Sequence, residues 1–246
     1  MHGFGFDITF MNTWRDDQLQ ALLDTRSDAE FFQRIAQAAR ELGFDYCAYG
    51  MRLPLPVAAP QLLMLNNYST DWQQRYAQED YLSVDPTVAH GTRSVLPLVW
   101  SEPVFAEARP FWEDARGHGL RVGWSQPCHD GRGVAGLLTL ARSHEPLSEA
   151  ELRHNAYRMV WLGQAAHEVL SARLMERTAP QAAIRLTRRE AEILRWTADG
   201  ATSAQVSERL HITERTVNFH INNVLLKLEA PNKTAGVVKA LRLGLI

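Results

Sequence analysis

Apolar and polar positions alternate with two different periods along the first 175 residues. After Ser27 and Glu30, whose spacing is typical of a helix capping box, apolar residues recur at helical spacing from Phe31 to Leu42, and Gly43 marks the end. Further helices are predicted at 70–79 and at 107–119. A long helix begins at Ser148, which has the spacing of a second capping box with Glu151. Short β-branched and aromatic runs predict five strands. These strands are expected at 44–53, 61–65, 97–100, 120–127 and 134–142.

This mixture of elements predicts an α+β fold. Strands separated by helices of different lengths, without regular βα alternation, favour a largely antiparallel sheet with helices on both faces, an α-β-α sandwich. The helix from Ser148 carries an apolar stripe that is too long for one small sheet to cover. We therefore expect part of this helix to form a homodimer contact. The stripe consists of Leu152, Ala156, Met159, Val160, Gly163, Ala166, Val169, Leu170 and Leu174.

The last 62 positions have the pattern of four short helices, an all-α unit. Thr187 with Glu190, and Thr202 with Gln205, have the spacing of capping boxes for the first two helices. Only three residues, 211–213, separate the second helix from the third, which is the signature of a helix-turn-helix. We divide the chain into residues 1–175, a linker at 176–184 that includes Pro180, and a helix-turn-helix domain at 185–246.

Charge follows the same division. Net charge is −2 overall, yet 184–246 holds ten basic and six acidic residues, while 1–183 holds 16 basic and 22 acidic residues. An acidic N-terminal region followed by a basic C-terminal region indicates two parts of the chain with different binding partners. Two cysteines are too few for a disulfide framework or a zinc knuckle. No secretory signal or apolar run long enough for a membrane span is evident, so we expect a cytoplasmic protein.

The third C-terminal helix has side chains suited to DNA. The second element of a helix-turn-helix enters the major groove, where an asparagine suits adenine and an apolar group contacts a thymine methyl. Hydroxyls and cations of neighbouring residues suit phosphates. The alternative is a small helical bundle with a solvated polar face, used for protein contact. The candidate DNA-binding residues are Thr202, Arg215, Thr216, Asn218, Phe219, Asn222 and Lys227.

The segment LTRREAEILRWTADGATSAQVSERLHITERTVNFHINNVLLKLEAPNKTAGVVKA resembles the LuxR-type DNA-binding domain along its whole length. Glu190, Leu194 and Gly200 match the family's fixed positions, and the ERTV-x-FH-x-x-N run is specific. The resemblance implies binding to double-stranded promoter DNA. Many relatives have Lys where this chain has Asn218, so the base preference stays open.

The first half is unusually rich in aromatic residues around 67–88, beside the Asp85-Pro86 step. It lacks the βα alternation and clustered acids of a phosphorylatable receiver domain. It instead resembles the autoinducer-binding domain of LuxR-type quorum-sensing regulators in YSTDWQQRY, Asp85-Pro86, PLVW, FWEDAR and Gly123. The runs LGFDYCAYGMR and the closing APNKT…LGLI are particularly similar to the RhlR-like members. The resemblance covers residues 27–246 and implies an N-acyl-homoserine lactone as the regulatory ligand.

The resemblance also implies roles for individual side chains. Asp85 would accept a hydrogen bond from the ligand's amide N–H, Trp72 would donate to the lactone carbonyl, and Tyr68 would donate to the acyl amide carbonyl. Ser125 or Thr139 would add a hydroxyl to the same carbonyl or to a 3-oxo group. Walls of the site would be Tyr76, Trp100, Phe111, Trp112, Ala115 and Leu120.

Other interpretations compete at several of these positions. Asp85 before Pro86 also suits a helix N-cap, and it can serve as both cap and acceptor. Trp72 and Tyr76, four residues apart, are typical of an ordinary core. The run GRGVAG precedes a strand and not a helix, so it predicts a hairpin turn and no dinucleotide site. We find no catalytic constellation and no metal-ligand spacing, and we read both cysteines as structural.

The combined hypothesis is a quorum-sensing transcription factor. It would bind an N-acyl-homoserine lactone and, as a homodimer, a palindromic promoter site, with RNA polymerase as a further partner and no cofactor. The alternative is a solo sensor that responds to a non-lactone metabolite or to a protein partner. An enzyme with a DNA-binding tail is a third class, which the missing catalytic groups disfavour.

Overall fold

The computed structural model describes residues 17–53, 61–131, 133–178 and 184–246. The chain forms two compact units. The first holds a β-sheet with its helices as far as Leu174, and the second holds 175–246. No helix among the described residues is long and apolar enough to cross a membrane.

Among the described residues, seven helices and five strands build the first unit. The helices are α1 (17–23), α2 (Asp28–Glu41), α3 (Thr70–Gln78), α4 (Tyr81–Val84), α5 (Pro86–Gly91), α6 (Arg109–Gly117) and α7 (Glu149–Thr178). A 3₁₀ turn at Ala106–Ala108 leads into α6. The strands are β1 (Tyr46–Arg52), β2 (Leu62–Asn66), β3 (Leu98–Val99), β4 (Val122–His129) and β5 (Ala135–Arg142).

The five strands form one antiparallel sheet in the order β2-β1-β5-β4-β3. All five predicted strands are present, and the predicted α-β-α architecture is confirmed. The short helix α4 was not predicted, and α5 was anticipated only at its N-cap, because neither helix is long enough to show a helical period. α7 extends to Thr178, three residues into the segment predicted as a linker.

Strand alternation gives the sheet two different faces. On one face Tyr49 of β1 lies against α7, where its hydroxyl is 2.7 Å from Nδ1 of His167. α2 covers the same side, since Arg173 of α7 packs over the ring of Phe31. The other face carries Tyr46, Ser125 and its cross-strand partner Thr139, and it lies against α3–α6. This face carries the candidate ligand site.

Helix starts follow the predicted caps with two differences. Ser27 accepts from the Glu30 N–H, but the Glu30 carboxylate accepts from the N–H of Arg26, so the expected box closes one residue earlier. Before α7, Ser148 accepts from the Glu151 N–H as expected. The Glu151 carboxylate is held by two nitrogens of Arg142, at 2.7 and 2.9 Å, and this ion pair ties β5 to the start of α7.

Four helices form the second unit, as predicted: α8 (Arg188–Ala198), α9 (Ser203–Leu210), α10 (Glu214–Leu228) and α11 (Lys233–Arg242). Both predicted capping boxes are complete, at Thr187 with Glu190 and at Thr202 with Gln205. α9 ends on His211 in the left-handed conformation, and three residues lead into α10. The core is made by side chains of all four helices, including Ile193, Leu194, Val206, Val217, Ile221, Val224, Leu228 and Ala240.

Candidate functional site

A dense group of aromatic side chains, here called the aromatic cluster, covers one face of the sheet. It lies between the sheet and the helices α3, α4 and α6. Its buried members are Trp72, Tyr81, Phe105, Phe111, Trp112, Ala115, Leu120 and Ala141, and its partly buried members are Tyr46, Tyr68, Tyr76, Trp100, Val104 and Ala108.

Trp72 lies at the centre of this cluster. Its ring centroid is 5.8 Å from those of Tyr76 and Tyr81, 5.9 Å from Phe111 and 5.2 Å from His118. Tilted and edge-to-face pairs at these distances each contribute roughly 0.5–1.5 kcal/mol beyond simple burial. The cluster is therefore a preorganised wall and not a loose collection of apolar groups.

Asp85 is the buried acid beside the cluster, with 8% of its surface exposed. Its Oδ1 accepts from the N–H of Thr87 at 2.8 Å and from the Thr87 hydroxyl at 2.7 Å, so it caps α5 as anticipated. Its Oδ2 accepts from the hydroxyl of Tyr76 at 3.1 Å. Burial raises the pKa of Asp85, although the donors from Thr87 and Tyr76 oppose the rise. A carboxylate oxygen accepts two hydrogen bonds, so Oδ2 has capacity for a further donor.

Two polar tips in the cluster are available for a ligand. Within the described residues, neither the hydroxyl of Tyr68 nor the indole N–H of Trp72 makes a hydrogen bond. The pKa of the Tyr68 phenol is raised by burial first and then by the charges of Cys47 and Asp85. Tyr68 and Tyr76 belong to the same cluster, and Tyr76 donates to Asp85. A donor pair and an acceptor thus line the same apolar surface.

The sheet supplies a small hydroxyl pair below the rings. Ser125 on β4 and Thr139 on β5 are cross-strand partners, with their hydroxyl oxygens 3.2 Å apart. The indole N–H of Trp100 donates to Ser125 at 3.0 Å. Trp100 lies directly over Gly123, where a Cβ atom would come 2.6 Å from the ring carbon Cε2 and closer still to two others. Gly123 therefore lets the Trp100 ring approach the strand.

Asp114 joins three helices at the outer edge of the cluster. Its Oδ2 accepts from the Arg75 guanidinium of α3 at 2.7 Å and from the Tyr81 hydroxyl of α4 at 2.5 Å. These two donors hold the pKa of Asp114 below its usual range. The network orients α3 and α4 against α6, and it thereby sets the position of Trp72.

The structure brings together all eleven predicted ligand-binding residues. Eight belong to the aromatic cluster, and Asp85, Ser125 and Thr139 are linked to it through hydrogen bonds or strand pairing. Their roles toward a ligand stay predictions. The sequence interpretation did not include Tyr46, Tyr81, Phe105 or His118. Tyr46 had a usable signal, since strand alternation places it on the same face as Ala48 and opposite to Tyr49.

Among the described residues, no group of three or more His, Cys, Asp and Glu side chains has the arrangement of a metal site. Both cysteines are buried, and burial raises the pKa of Cys47 and brings that of Cys128 to about 12. Their thiols are protonated at neutral pH, as a structural role requires.

The exposed face of α10 carries most of the predicted DNA-binding residues. Asn218, Asn222, Arg215 and Phe219 are exposed, and Phe219 keeps 61% of its surface accessible. Val217, Ile221, Val224 and Leu228 on the opposite face are buried in the helical core. Thr202 and Thr216 lie at helix starts, where the Thr202 hydroxyl caps α9 and the Thr216 hydroxyl is 2.9 Å from that of Thr213.

Lys227 has a structural partner that the sequence interpretation did not foresee. Its ammonium lies 2.6 Å from Oε2 of Glu190, a residue with 3% exposure that also closes the capping box of α8. Burial by itself would raise the pKa of Glu190, but Lys227 and Thr187 together lower it. The prediction that Lys227 meets a phosphate therefore competes with an ion pair that joins α10 to α8.

Replacing Lys227 with Met should destabilise the second unit by about 1–2 kcal/mol, because a buried carboxylate would lose its cation. The ammonium is partly exposed, so we discount the larger values seen for fully buried pairs. A carboxyl whose pKa is lowered by folding stabilises the folded state above its unfolded pKa of about 4.5, and the contribution is lost as pH falls further. Urea unfolding should thus show a larger difference in stability between the parent protein and Lys227→Met at pH 7 than at pH 4. Lys233→Met, whose ammonium meets an exposed hydroxyl, is the control, and equal midpoints for both variants would contradict the assignment.

Two family models match the chain in succession. The model described as "Autoinducer binding domain" matches residues 27–170. The model described as "Bacterial regulatory proteins, luxR family" matches residues 185–240. The first match coincides with the unit that carries the aromatic cluster, and the second with the four-helix unit.

Whole-length relatives show the same order of domains. The transcriptional activator protein AnoR of Acinetobacter nosocomialis is 45% identical over 238 residues, covering 96% of this chain and 100% of AnoR. The quorum-sensing regulator RhlR of Pseudomonas aeruginosa is 35% identical over 244 residues, covering 98% of this chain and 99% of RhlR.

The chain is also similar to solved structures. Crystalline Escherichia coli SdiA superimposes with a TM-score of 0.78 at 33% identity, covering 96% of this chain and 99% of SdiA. SdiA in complex with octanoyl-rac-glycerol gives 0.77 at 32% identity, covering 99% and 97%. The N-acylhomoserine lactone dependent factor CepR2 of Burkholderia cenocepacia gives 0.62 at 34% identity, covering 70% and 99%. The chain therefore belongs to the LuxR family of quorum-sensing transcription regulators, which pair an autoinducer-binding domain with a DNA-binding helix-turn-helix and are not enzymes.

Proposed function

We propose that the first unit binds an N-acyl-homoserine lactone against the aromatic cluster. The observation that carries this proposal is the convergence of Asp85, Tyr68 and Trp72, because a buried acceptor and two unpartnered donors face an apolar wall. A lactone has one amide N–H, two carbonyls and an apolar chain, so its groups complement these three side chains. The similarity to CepR2, an N-acylhomoserine lactone dependent factor, supports the same ligand class.

Each polar contact has a physical reason. A buried carboxylate is unfavourable unless donors meet it, and the ligand N–H would be a further donor to Asp85 beside those of Thr87 and Tyr76. The N–H of Trp72 and the hydroxyl of Tyr68 would donate to the lactone and amide carbonyls. Ser125 and Thr139 would offer hydroxyls from the sheet, and Tyr76, Trp100, Phe111, Trp112, Ala115 and Leu120 would surround the head and chain.

The raised pKa of Asp85 makes a pH dependence part of this proposal. A ligand N–H favours the ionised carboxylate, so binding and ionisation support each other. Lactone affinity should therefore fall as pH falls through the raised pKa of Asp85. In the protein without ligand, folding stability depends on pH in the opposite direction. A carboxyl with a raised pKa favours the folded state at low pH, and this contribution is lost as pH rises through that pKa.

We further propose that the protein acts as a homodimer on palindromic promoter DNA, in the cytoplasm and with RNA polymerase as a partner. The early part of α7 supports a dimer contact, since Ala156 and Tyr157 are exposed while later stripe residues such as Met159 and Leu170 are buried. In α10, the exposed Asn218, Phe219 and Asn222 support base contacts, with Thr202, Arg215 and Thr216 near phosphates. We keep 1–175, 176–184 and 185–246 as the functional division.

Native mass spectrometry tests the ligand directly. The full chain is expressed with and without a mixed set of acyl-homoserine lactones and examined without denaturation. We expect a dimer with one lactone retained per subunit, and the retained mass gives chain length and oxidation. Equal yields of folded protein from both cultures, with no lactone retained, would refute lactone binding.

A second candidate is a solo sensor for a non-lactone acyl compound. One observation favours it: SdiA, which superimposes along nearly the whole chain, is described in complex with octanoyl-rac-glycerol. Such a ligand shares the apolar chain but has an ester and hydroxyls where a lactone has an amide. Adding a monoacylglycerol to the same mass spectrometry experiment separates the two, because only one of the masses will be retained in competition.

A further inference from the structure

Three polar side chains from three helices form a short hydrogen-bonded chain on the surface of the second unit. The ammonium of Lys233, at the start of α11, donates to Oγ of Ser203 at 3.0 Å. Ser203, at the start of α9, donates in turn to Oδ1 of Asn218 on α10 at 2.8 Å. We call this the Lys233–Ser203–Asn218 relay.

The chemistry of the donors sets the direction of the relay. An ammonium has three N–H donors and no acceptor, so the oxygen of Ser203 must accept from Lys233. The single hydroxyl proton of Ser203 is then best placed on an acceptor, and the carbonyl oxygen of Asn218 is that acceptor. With the opposite amide orientation, the nitrogen of Asn218 would also donate to Ser203, and the hydroxyl proton would lose this partner. The relay thus turns the Asn218 carbonyl toward α9 and leaves the NH₂ group facing outward.

We infer that Asn218 reads DNA as a donor only and selects guanine. An asparagine reads adenine through a pair of bonds that needs both its oxygen and its nitrogen, and here the oxygen is already engaged. Guanine presents two adjacent acceptors, N7 and O6, which match an outward NH₂ group. The expectation of adenine drawn from residue type alone is replaced at this position. The inference rests on the proposed role of α10 in base recognition.

Asn222 provides an internal comparison. It lies one turn further along α10, is exposed, and makes no side-chain hydrogen bond within the described part of the chain. Its amide keeps both the donor and the acceptor that adenine requires. The two asparagines therefore have different preferences, although they are the same residue on the same helix.

Selection from a randomised double-stranded DNA library tests the relay. The full chain, produced with the lactone mixture, and its variants select binding sites, and affinities for single-base variants of the site are then measured. Asn218→Ala identifies the base pair that Asn218 reads, because discrimination disappears there. At that position we expect the parent protein to favour guanine over adenine by about tenfold, the effect of one good hydrogen bond. Ser203→Ala should move the preference toward adenine, since it releases the Asn218 oxygen.

Two further variants isolate the cause. Lys233→Met should shift the preference in the same direction as Ser203→Ala, because the hydroxyl proton of Ser203 is then no longer directed by the ammonium. Ser207→Ala removes a hydroxyl from the same helix, but this hydroxyl donates to the Ala204 carbonyl, and base preference should not change.

The outcomes separate the inference from the proposed function. An adenine preference in the parent protein, or an unchanged guanine preference in Ser203→Ala, overturns the relay while DNA recognition stands. If Asn218→Ala alters no position, the base-reading role of Asn218 fails. If the parent protein selects no sequence at all, the proposed DNA recognition fails, and the inference that rests on it falls too.

Discussion

Asp85→Asn should abolish the transcriptional response to lactone while leaving the protein folded. Asparagine has nearly the same shape and is as good an N-cap as aspartate, so the cap on Thr87 survives. The ligand N–H would lose a charged acceptor and would face a neutral amide whose NH₂ group is also a donor. Hydrogen bonds to charged groups contribute about 1.5–3 kcal/mol, so affinity should fall roughly 10- to 100-fold or more.

Asp71→Asn is the matched control, because it removes the same charge from an exposed position in the first turn of α3. Reporter activity against lactone concentration is the readout, with protein level checked by immunoblot. Equal dose–response curves for the parent and Asp85→Asn would show that Asp85 is only a helix cap. Loss of protein level in Asp85→Asn would locate the effect in folding, in which case lactone affinity is measured on the surviving fraction.

Gly123→Ala should displace Trp100 and weaken both stability and ligand binding. The new methyl group would overlap the indole ring, and the ring is held by the bond from its N–H to Ser125 and by edge contacts with Phe105 and Trp112. Overpacking of this kind destabilises by about 1–3 kcal/mol. Thermal unfolding of the lactone-bound protein, together with lactone affinity, gives both effects.

Gly117→Ala is the comparison, because no atom lies within 4 Å of the Cβ that it would add. That substitution should be neutral or slightly stabilising at its helical position. If overlap with the ring is the cause, Trp100→Ala combined with Gly123→Ala should lose less stability than the two single changes together. Additive losses would contradict a direct clash between positions 100 and 123.

Most of the fold was predicted from the periodicity of apolar residues and from the helix-capping residues. The strand runs and the capping residues Thr187 and Thr202 encode local geometry, and all five strands and both of these boxes were found where expected. The short helix α4 was missed, and α5 was anticipated only at its cap, because a run of four or six residues has no measurable period. The end of α7 was misplaced because Pro180 and the charge change mark a boundary only to within a few residues.

The site residues that match the family pattern were predicted from the sequence. Residues that reach the site only through tertiary packing were not. Tyr81 and His118 lie beside Trp72, and Phe105 stacks on Trp112, through the packing of separate segments, which no local spacing reports. Lys227 looked like a phosphate ligand from its charge. Its ion pair with Glu190, 37 positions earlier, depends on how α8 packs on α10.

The sheet order has a consequence for the protein while it is being made. Among the described strands, β5 lies between β1 and β4 and connects them, yet it is the last of the five to leave the ribosome. Helices α3 to α6, with their aromatic rings, emerge before the surface that they cover is complete. Until residue 142 has left the ribosome, the sheet surface against which these rings pack is incomplete. Incompletely folded chains with exposed apolar surface are prone to aggregation. A small molecule that binds the rings would protect the chain most in the interval just after β5 appears, so its presence during translation should matter more than its addition afterwards.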